Sequence, residues 1–151
     1  MSAPATRYVI IDVRHNNGGN NRLLAPLIAT LAAFERARPG NRMFVLTSRS
    51  TFSAAQNFIN RLEHAAHPVF AGEPSRSSPN FTGEDNDVLL PYSGLHVSIS
   101  NRYWQDSDPN DTRPWIEPQL PAPLSAGAYF ANQDPVLAVV LHAITAQGTR
   151  R

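Results

Sequence analysis

Met43-Phe44-Val45-Leu46-Thr47-Ser48-Arg49-Ser50-Thr51-Phe52-Ser53-Ala54-Ala55-Gln56 decides the fold. Met43 to Thr47 is a short apolar, partly β-branched run of the kind found in strands buried on both faces. Ser48 to Thr51 interrupts it with short polar side chains that favour turns. From about Ser53 to Ala66, Phe58 and Leu62 recur on one helical face. The segment therefore reads as strand, turn and helix. The same order precedes it. Tyr8 to Val13 is a β-branched run, Arg14 to Asn21 is a dense loop signal around Gly18-Gly19, and Leu23, Leu27, Leu31 and Phe34 carry helical spacing until Pro39-Gly40 stops it. Val69 to Ala71 supplies a third strand. This alternation predicts an α/β fold with a mostly parallel central sheet.

Further along, Gly72 to Asp87 is rich in Gly, Pro, Ser and Asn and reads as one long loop. Val88–Leu90 and Leu95–Ser100 flank Pro91-Tyr92-Ser93-Gly94, which predicts a hairpin added to the core. Asn101 to Ala128 is proline-rich and aperiodic. Asp134 as N-cap, Pro135 at the first helical position, and Val136, Val140 and Ile144 on one face predict a final helix.

Composition narrows the chemistry. At 151 residues, with 42% apolar and 17% charged residues, the chain has the size and balance of one globular domain. All 13 basic residues are arginines, spread along the sequence against 12 acidic ones. That near-neutral, unclustered balance gives no reason to expect nucleic acid or an anionic membrane as partner. A mechanism with a lysine base is closed to this chain, since a guanidinium does not give up its proton. The absence of cysteine removes disulfides and thiolate metal sites. No His/Asp/Glu cluster has metal-ligand spacing, so no metal or organic cofactor is expected. No apolar run is long enough for a signal peptide or a membrane span, and composition assigns no compartment.

Ser53 falls at a helix N-terminus, where unbonded backbone N–H groups and the positive end of the helix dipole favour developing negative charge. The N–H of Ala54 is one candidate donor to a tetrahedral oxyanion, and the side-chain-free turn at Gly18-Gly19 can bring a second close. The ordinary reading of each residue is structural. A serine there is most often a cap, Gly18-Gly19 a turn, and Asp12 with Arg14 an ion pair at a strand end.

The ordered set of segments resembles the tail-specific (C-terminal processing) protease and tricorn-core family of serine peptidases. Ile10-Ile11-Asp12-Val13-Arg14-His15-Asn16-Asn17-Gly18-Gly19 is similar to the family's D-x-R-x-N-x-G-G strand and turn. Thr51-Phe52-Ser53-Ala54-Ala55-Gln56, after Phe44 to Thr47, is similar to its nucleophile segment. Gly72-Glu73-Pro74, Leu90-Pro91-Tyr92-Ser93-Gly94-Leu95, Ile116-Glu117-Pro118 and Gln133-Asp134-Pro135-Val136-Leu137 follow in the family's order. The resemblance implies a spiral of ββα units shared with ClpP and crotonase cores, Ser53 as nucleophile, and an oxyanion hole from Ala54 with Gly18 or Gly19. Asp12, Arg14 and Asn16 would shape the turn. It also implies that residues 1–151 form a single domain, the C-terminal part of a catalytic core whose upstream part is absent. The implied substrate is polypeptide, cleaved through an acyl-enzyme. Oligomerisation stays open, and the cell envelope or periplasm suits a full-length parent.

The chain departs from the family at the base. One branch pairs its serine with a lysine from the loop that corresponds to Gly72–Gly83, where Arg76 is the only basic residue. The tricorn-like branch draws a histidine from upstream of the first motif and a carboxylate from the C-terminal part. His15, in the turn expected to face Ser53, is the candidate base within the chain. Asp111, ahead of Asp106 and Asp108, is the candidate carboxylate. Two other functions remain: a non-catalytic member that binds peptides by β-addition to a strand edge, and a crotonase-like acyl-thioester enzyme, in which Ser53 would have no role.

Overall fold

The computed structural model describes residues 6–148. β1 (Tyr8–Asp12) leads through a glycine loop and a short 3-10 turn (Asn21–Leu23) into α1 (Leu24–Ala37). β2 (Arg42–Thr47) is followed by α2 (Ala54–Ala65), and β3 (Val69–Gly72) by a hairpin of β4 (Asn80–Leu89) and β5 (His96–Gln105). β6 (Leu120–Pro121), α3 (Ala126–Phe130) and α4 (Pro135–Gly148) complete the order.

The central sheet has the order β1-β2-β3-β6 and every pairing in it is parallel. In its register Ile11 lies beside Val45, Val45 beside Phe70, and Ala71 beside Leu120. β2 is the strand the sequence marks most clearly, and Met43 through Thr47 are all buried. Side chains alternate across a strand. Met43 and Val45 therefore join Phe58, Ile59, Leu62 and Phe70 under α1 and α2, whereas Phe44 and Leu46 join Ala71, Val136 and Val140 under α4. A strand covered on both faces needs both of its faces apolar, and each large side chain so buried contributes about 1.5–3 kcal/mol.

The hairpin forms a sheet of its own, antiparallel, with Phe81 opposite Trp104 and Val88 opposite Val97. Its strands are longer than the turn signal suggested. Asn80 to Asp87, expected in a loop, pairs with Ser98–Gln105 because backbone bonding to the returning strand supplies what side-chain pattern does not. The segment expected to be irregular after Asn101 likewise begins in β5 and later holds β6 and α3, which Ser125 caps through Ala128 N–H at 3.1 Å. α1 is rotated from its expected face. Leu24, Ile28, Leu31 and Phe34 meet the core, while Leu23 and Leu27 are exposed. Among the described residues no helix is long and apolar enough to cross a membrane. No group of three or more His, Asp or Glu there is placed to hold a metal ion.

Candidate active site

The loops after β1 and β2 leave the same end of the sheet side by side, and hydrogen bonds lace them together. Thr51 Oγ1 donates to Val13 O at 2.9 Å and accepts from Ser48 N–H at 3.1 Å. Ser48 Oγ donates to Arg14 O, and Phe52 N–H donates to Asn16 O at 3.2 Å. Thr51 and its hydroxyl are fully buried, so these bonds act away from competing water. The laced turn delivers Ser53 at φ 54° and ψ −123°. A side chain is strained there, at a cost of about 1–3 kcal/mol, and such strain clusters at functional positions.

Ser53 opens α2 without capping it. Asn57 N–H bonds to Ser53 O at 2.9 Å, but the Ser53 hydroxyl makes no capping bond. The usual structural explanation of a serine at this position is therefore absent. Among the described residues Ala54 N–H also has no acceptor, as expected for the first turn of a helix.

Gly18 stands directly against this serine. A Cβ on Gly18 would lie 2.8 Å from Ser53 Cβ and 3.0 Å from Ser53 Oγ, and 3.6 Å from Ala54 N. Its φ of 134° is also one that side chains rarely adopt. Both facts require glycine and bring the first motif's backbone to the serine and to the Ala54 N–H. Gly18 N–H is spent on Asn16 Oδ1 at 3.1 Å, within the turn. Gly19, with φ 138°, faces open space, and its N–H has no acceptor among the described residues. Asn57 Nδ2 donates to Asn21 Oδ1 at 3.1 Å and ties the end of the glycine loop to α2.

Arg14 fixes the other side of the loop. Its guanidinium grips Asp12, with its closest contact at 2.7 Å, and donates twice to Asp134 at 2.9 Å. These bonds hold both carboxyls below the usual carboxylate range and keep Arg14 charged. Asp134 Oδ1 also accepts from Leu137 N–H at 2.9 Å and so caps α4. The sequence marked Asp134 as a cap; that it shares Arg14 with Asp12 is a tertiary fact.

The other expected site residues are not joined to Ser53. His15 is exposed and lines a cavity of about 440 Å³ with Arg14, Ser48, Glu73 and Asp134. No hydrogen bond links it to the serine. Asp111 accepts from Ser107 Oγ at 2.6 Å and pairs with Arg113 at 2.8 Å, and the Arg113 hydrogen bond holds its carboxyl well below the ordinary range. Arg113 also binds Glu63, which lies about 15 Å beyond Ser53 along the axis of α2 at ~1.5 Å per residue. Asp111 is thus tied toward the far end of the helix. Asp106 is held by Arg61 at 2.9 Å.

A second cavity, of about 260 Å³, opens on Gly18 and Ala54 and runs between α1 and α2. Leu23, Leu27 and Phe58, which line it, read in the sequence only as core positions.

No protein-family model matches the chain. No curated protein matches it in sequence. Solved structures do share its fold. A protein from Parabacteroides merdae ATCC 43184, inferred to be a peptidase, superposes with a TM-score of 0.63 at 16% identity, over 96% of this chain and 54% of its own. A protein from Bacteroides fragilis NCTC 9343, inferred to be an S41 protease, does so with a TM-score of 0.58 at 16% identity, over 91% of this chain and 44% of its own. A photosystem II D1 C-terminal processing protease matches at a TM-score of 0.46 and 19% identity, over 76% of this chain and 34% of its own, too slight a likeness to argue from. The resemblance in the ordered motifs is therefore met by a structural likeness to S41 peptidases. At these identities the likeness establishes the α/β fold with its parallel sheet. The chain spans about half the length of the first two structures.

Proposed function

We propose that this chain is a serine-type peptidase core that cleaves polypeptide through an acyl-enzyme on Ser53. The observation that carries the reading is the state of Ser53. It is held in a strained turn, its hydroxyl is not used as a cap, and Gly18 and the uncommitted Ala54 N–H lie beside it. In this reading Ser53 Oγ attacks the substrate carbonyl as its proton passes to a base. The oxyanion is received by Ala54 N–H and a glycine-turn N–H, that of Gly19 being the one without an internal acceptor. Collapse expels the amine with that proton, and water then releases the acyl group. The strand–turn–helix units read as part of a ClpP/crotonase-like spiral, and residues 1–151 as the C-terminal part of a larger catalytic core.

No side chain among the described residues hydrogen-bonds to Ser53 Oγ, which favours a base drawn from outside them. The same fact favours the second reading, a peptide-binding member without turnover. Fluorophosphonate labelling of the chain, read by intact mass, separates these. Labelling of the chain but not of Ser53→Ala supports the nucleophile, and its loss in His15→Ala as well makes His15 the base. No labelling of the folded chain with labelling of a longer parent means that the base comes from outside the chain, whereas no labelling of either, with peptide binding unaffected by Ser53→Ala, favours the binding module.

A further inference from the structure

We infer that a cavity at the end of the sheet remote from Ser53, where α1 gives way to β2, binds a diphosphate group through Arg36, Arg38 and Arg42. The cavity holds about 390 Å³, and Glu35, Asn41 and His67 line it with the three arginines. Arg42 opens β2 and the Ser53 turn follows the other end of that strand. Roughly 17 Å of strand, at ~3.3 Å per residue, therefore separates the two places. Binding here is independent of the chemistry at Ser53.

The positive charge of this cavity is uncompensated. Arg36, Arg38 and Arg42 are all exposed. Among the described residues the arginines in ion pairs are Arg14, Arg49, Arg61 and Arg113, none of which lies here. Glu35, the one acid in the lining, is already engaged. Its carboxylate accepts from the His67 backbone N–H at 3.1 and 3.2 Å, and its Oε2 lies 3.3 Å from His67 Nδ1. The C-terminus of α1 also ends here, but its partial charge of about half an electron is small against three guanidiniums.

The backbone that carries the arginines is fixed. Asn41 is 3% exposed, donates its N–H to Arg38 O at 3.2 Å, and ties the turn to α1 through Nδ2 and Phe34 O at 2.7 Å. Arg42 N–H donates to Arg7 O at 2.9 Å and so locks the end of the turn to β1. A ligand arriving here has only side chains to order, which lowers the cost of binding. Three like charges call for an anion of comparable charge. One phosphoryl group carries about −1.5 to −2 near neutral pH, and two linked groups carry more. Each phosphoryl group also presents several oxygens to the planar donor forks of arginine, whereas a carboxylate presents two.

Calorimetric titration with inorganic pyrophosphate, in low-salt buffer of matched ionic strength, tests this. One pyrophosphate should bind per chain, at least about fivefold more tightly than orthophosphate or malonate, a dicarboxylate of similar span. Arg36→Gln, Arg38→Gln and Arg42→Gln should each weaken binding about fivefold or more, and the triple variant should show none. Arg102→Gln removes an exposed arginine that stacks on Trp104 of the hairpin, and should leave the affinity within about twofold. Titration with ADP distinguishes the source of the group. Binding as tight as pyrophosphate supports a diphosphate carried on a nucleoside, and binding of pyrophosphate alone supports the free anion. Absence of pyrophosphate binding to the folded parent would overturn the site. So would equal affinity for malonate, or a loss in Arg102→Gln as large as in Arg42→Gln, which would reduce the effect to net charge.

Discussion

The chain contains two strand–turn–helix units side by side, β1 to α1 and β2 to α2, built to one plan and spent differently. In the second, β2 is buried on both faces and α2 buries most of its length, including Gln56, Asn57 and Asn60. A rigid surround of that kind can force Ser53 into a backbone state that a free turn would abandon. In the first, β1 is an edge strand only partly covered, and α1 leaves Leu23 and Leu27 exposed. Its loop adds two glycines with positive φ. The buried unit holds the strained serine proposed as the nucleophile. The open one offers backbone and an apolar wall.

Predictions follow that contrast. Replacing Ser53 by alanine should abolish fluorophosphonate labelling altogether, the largest effect expected, as intact mass would show. Gly18→Ala comes next. Its Cβ would meet Ser53 at 2.8 Å in a backbone state closed to side chains, so chemical denaturation should show a loss of about 2–4 kcal/mol with labelling lost as well. Gly19→Ala, strained but in open space, should lose only about 1–2 kcal/mol. Equal losses for the two glycines would remove the distinction between them.

The strain at Ser53 has its own signature. A capping serine costs about 1 kcal/mol when replaced by alanine, yet Ser53→Ala should change stability by less than about 0.5 kcal/mol, since no capping bond is lost. Ser53→Gly should stabilise by about 1 kcal/mol, as relief of strain outweighs the added freedom of the unfolded chain. Denaturation midpoints of the three proteins decide this, and a destabilised alanine variant would restore the capping role.

The smallest effect concerns Arg14. Asp12 and Asp134 have depressed pKa values in the folded state, so their contribution is present above the ordinary carboxylate value of about 3.9. It is lost as pH falls through the folded values, where the unfolded chain already carries more protons. Arg14→Met should therefore be less stable than the parent at neutral pH, and the two stability curves should converge as pH falls below the depressed folded-state values. Partial exposure of both carboxylates keeps the gap modest.

How much was legible follows the same division. β2, α2 and α4 were plain, because burial on defined faces leaves a periodic record and Asp134-Pro135 marks a helix start. Asn80 to Asp87 was not, since beyond Asn80, Phe81 and Gly83 its residues are exposed and it has no apolar alternation to display. The phase of α1 was misread because apolar residues surround most of its circumference, so period alone cannot choose the inward face. At the site, Ser53, Ala54, Gly18 and Gly19 stood out through ordered motifs. The Leu23, Leu27 and Phe58 pocket did not, since its side chains look like core.

By itself the sequence determined the alternation of strands and helices from β1 to β3, the hairpin and the final helix, the exclusion of lysine and thiol chemistry, and the residues at the two turns, but not β6 or α3. Those depend on local propensity, periodicity and residue chemistry, all of which are written along the chain. Only the tertiary structure decided that Gly18 lies against Ser53, that the serine hydroxyl is left uncapped, and that Asp111 is tied to Arg113 rather than joined to Ser53. The contact of Gly18 with Ser53 and the Arg113–Glu63 bridge that holds Asp111 toward the far end of α2 depend on where a segment distant in sequence places its atoms, and no local pattern encodes that position.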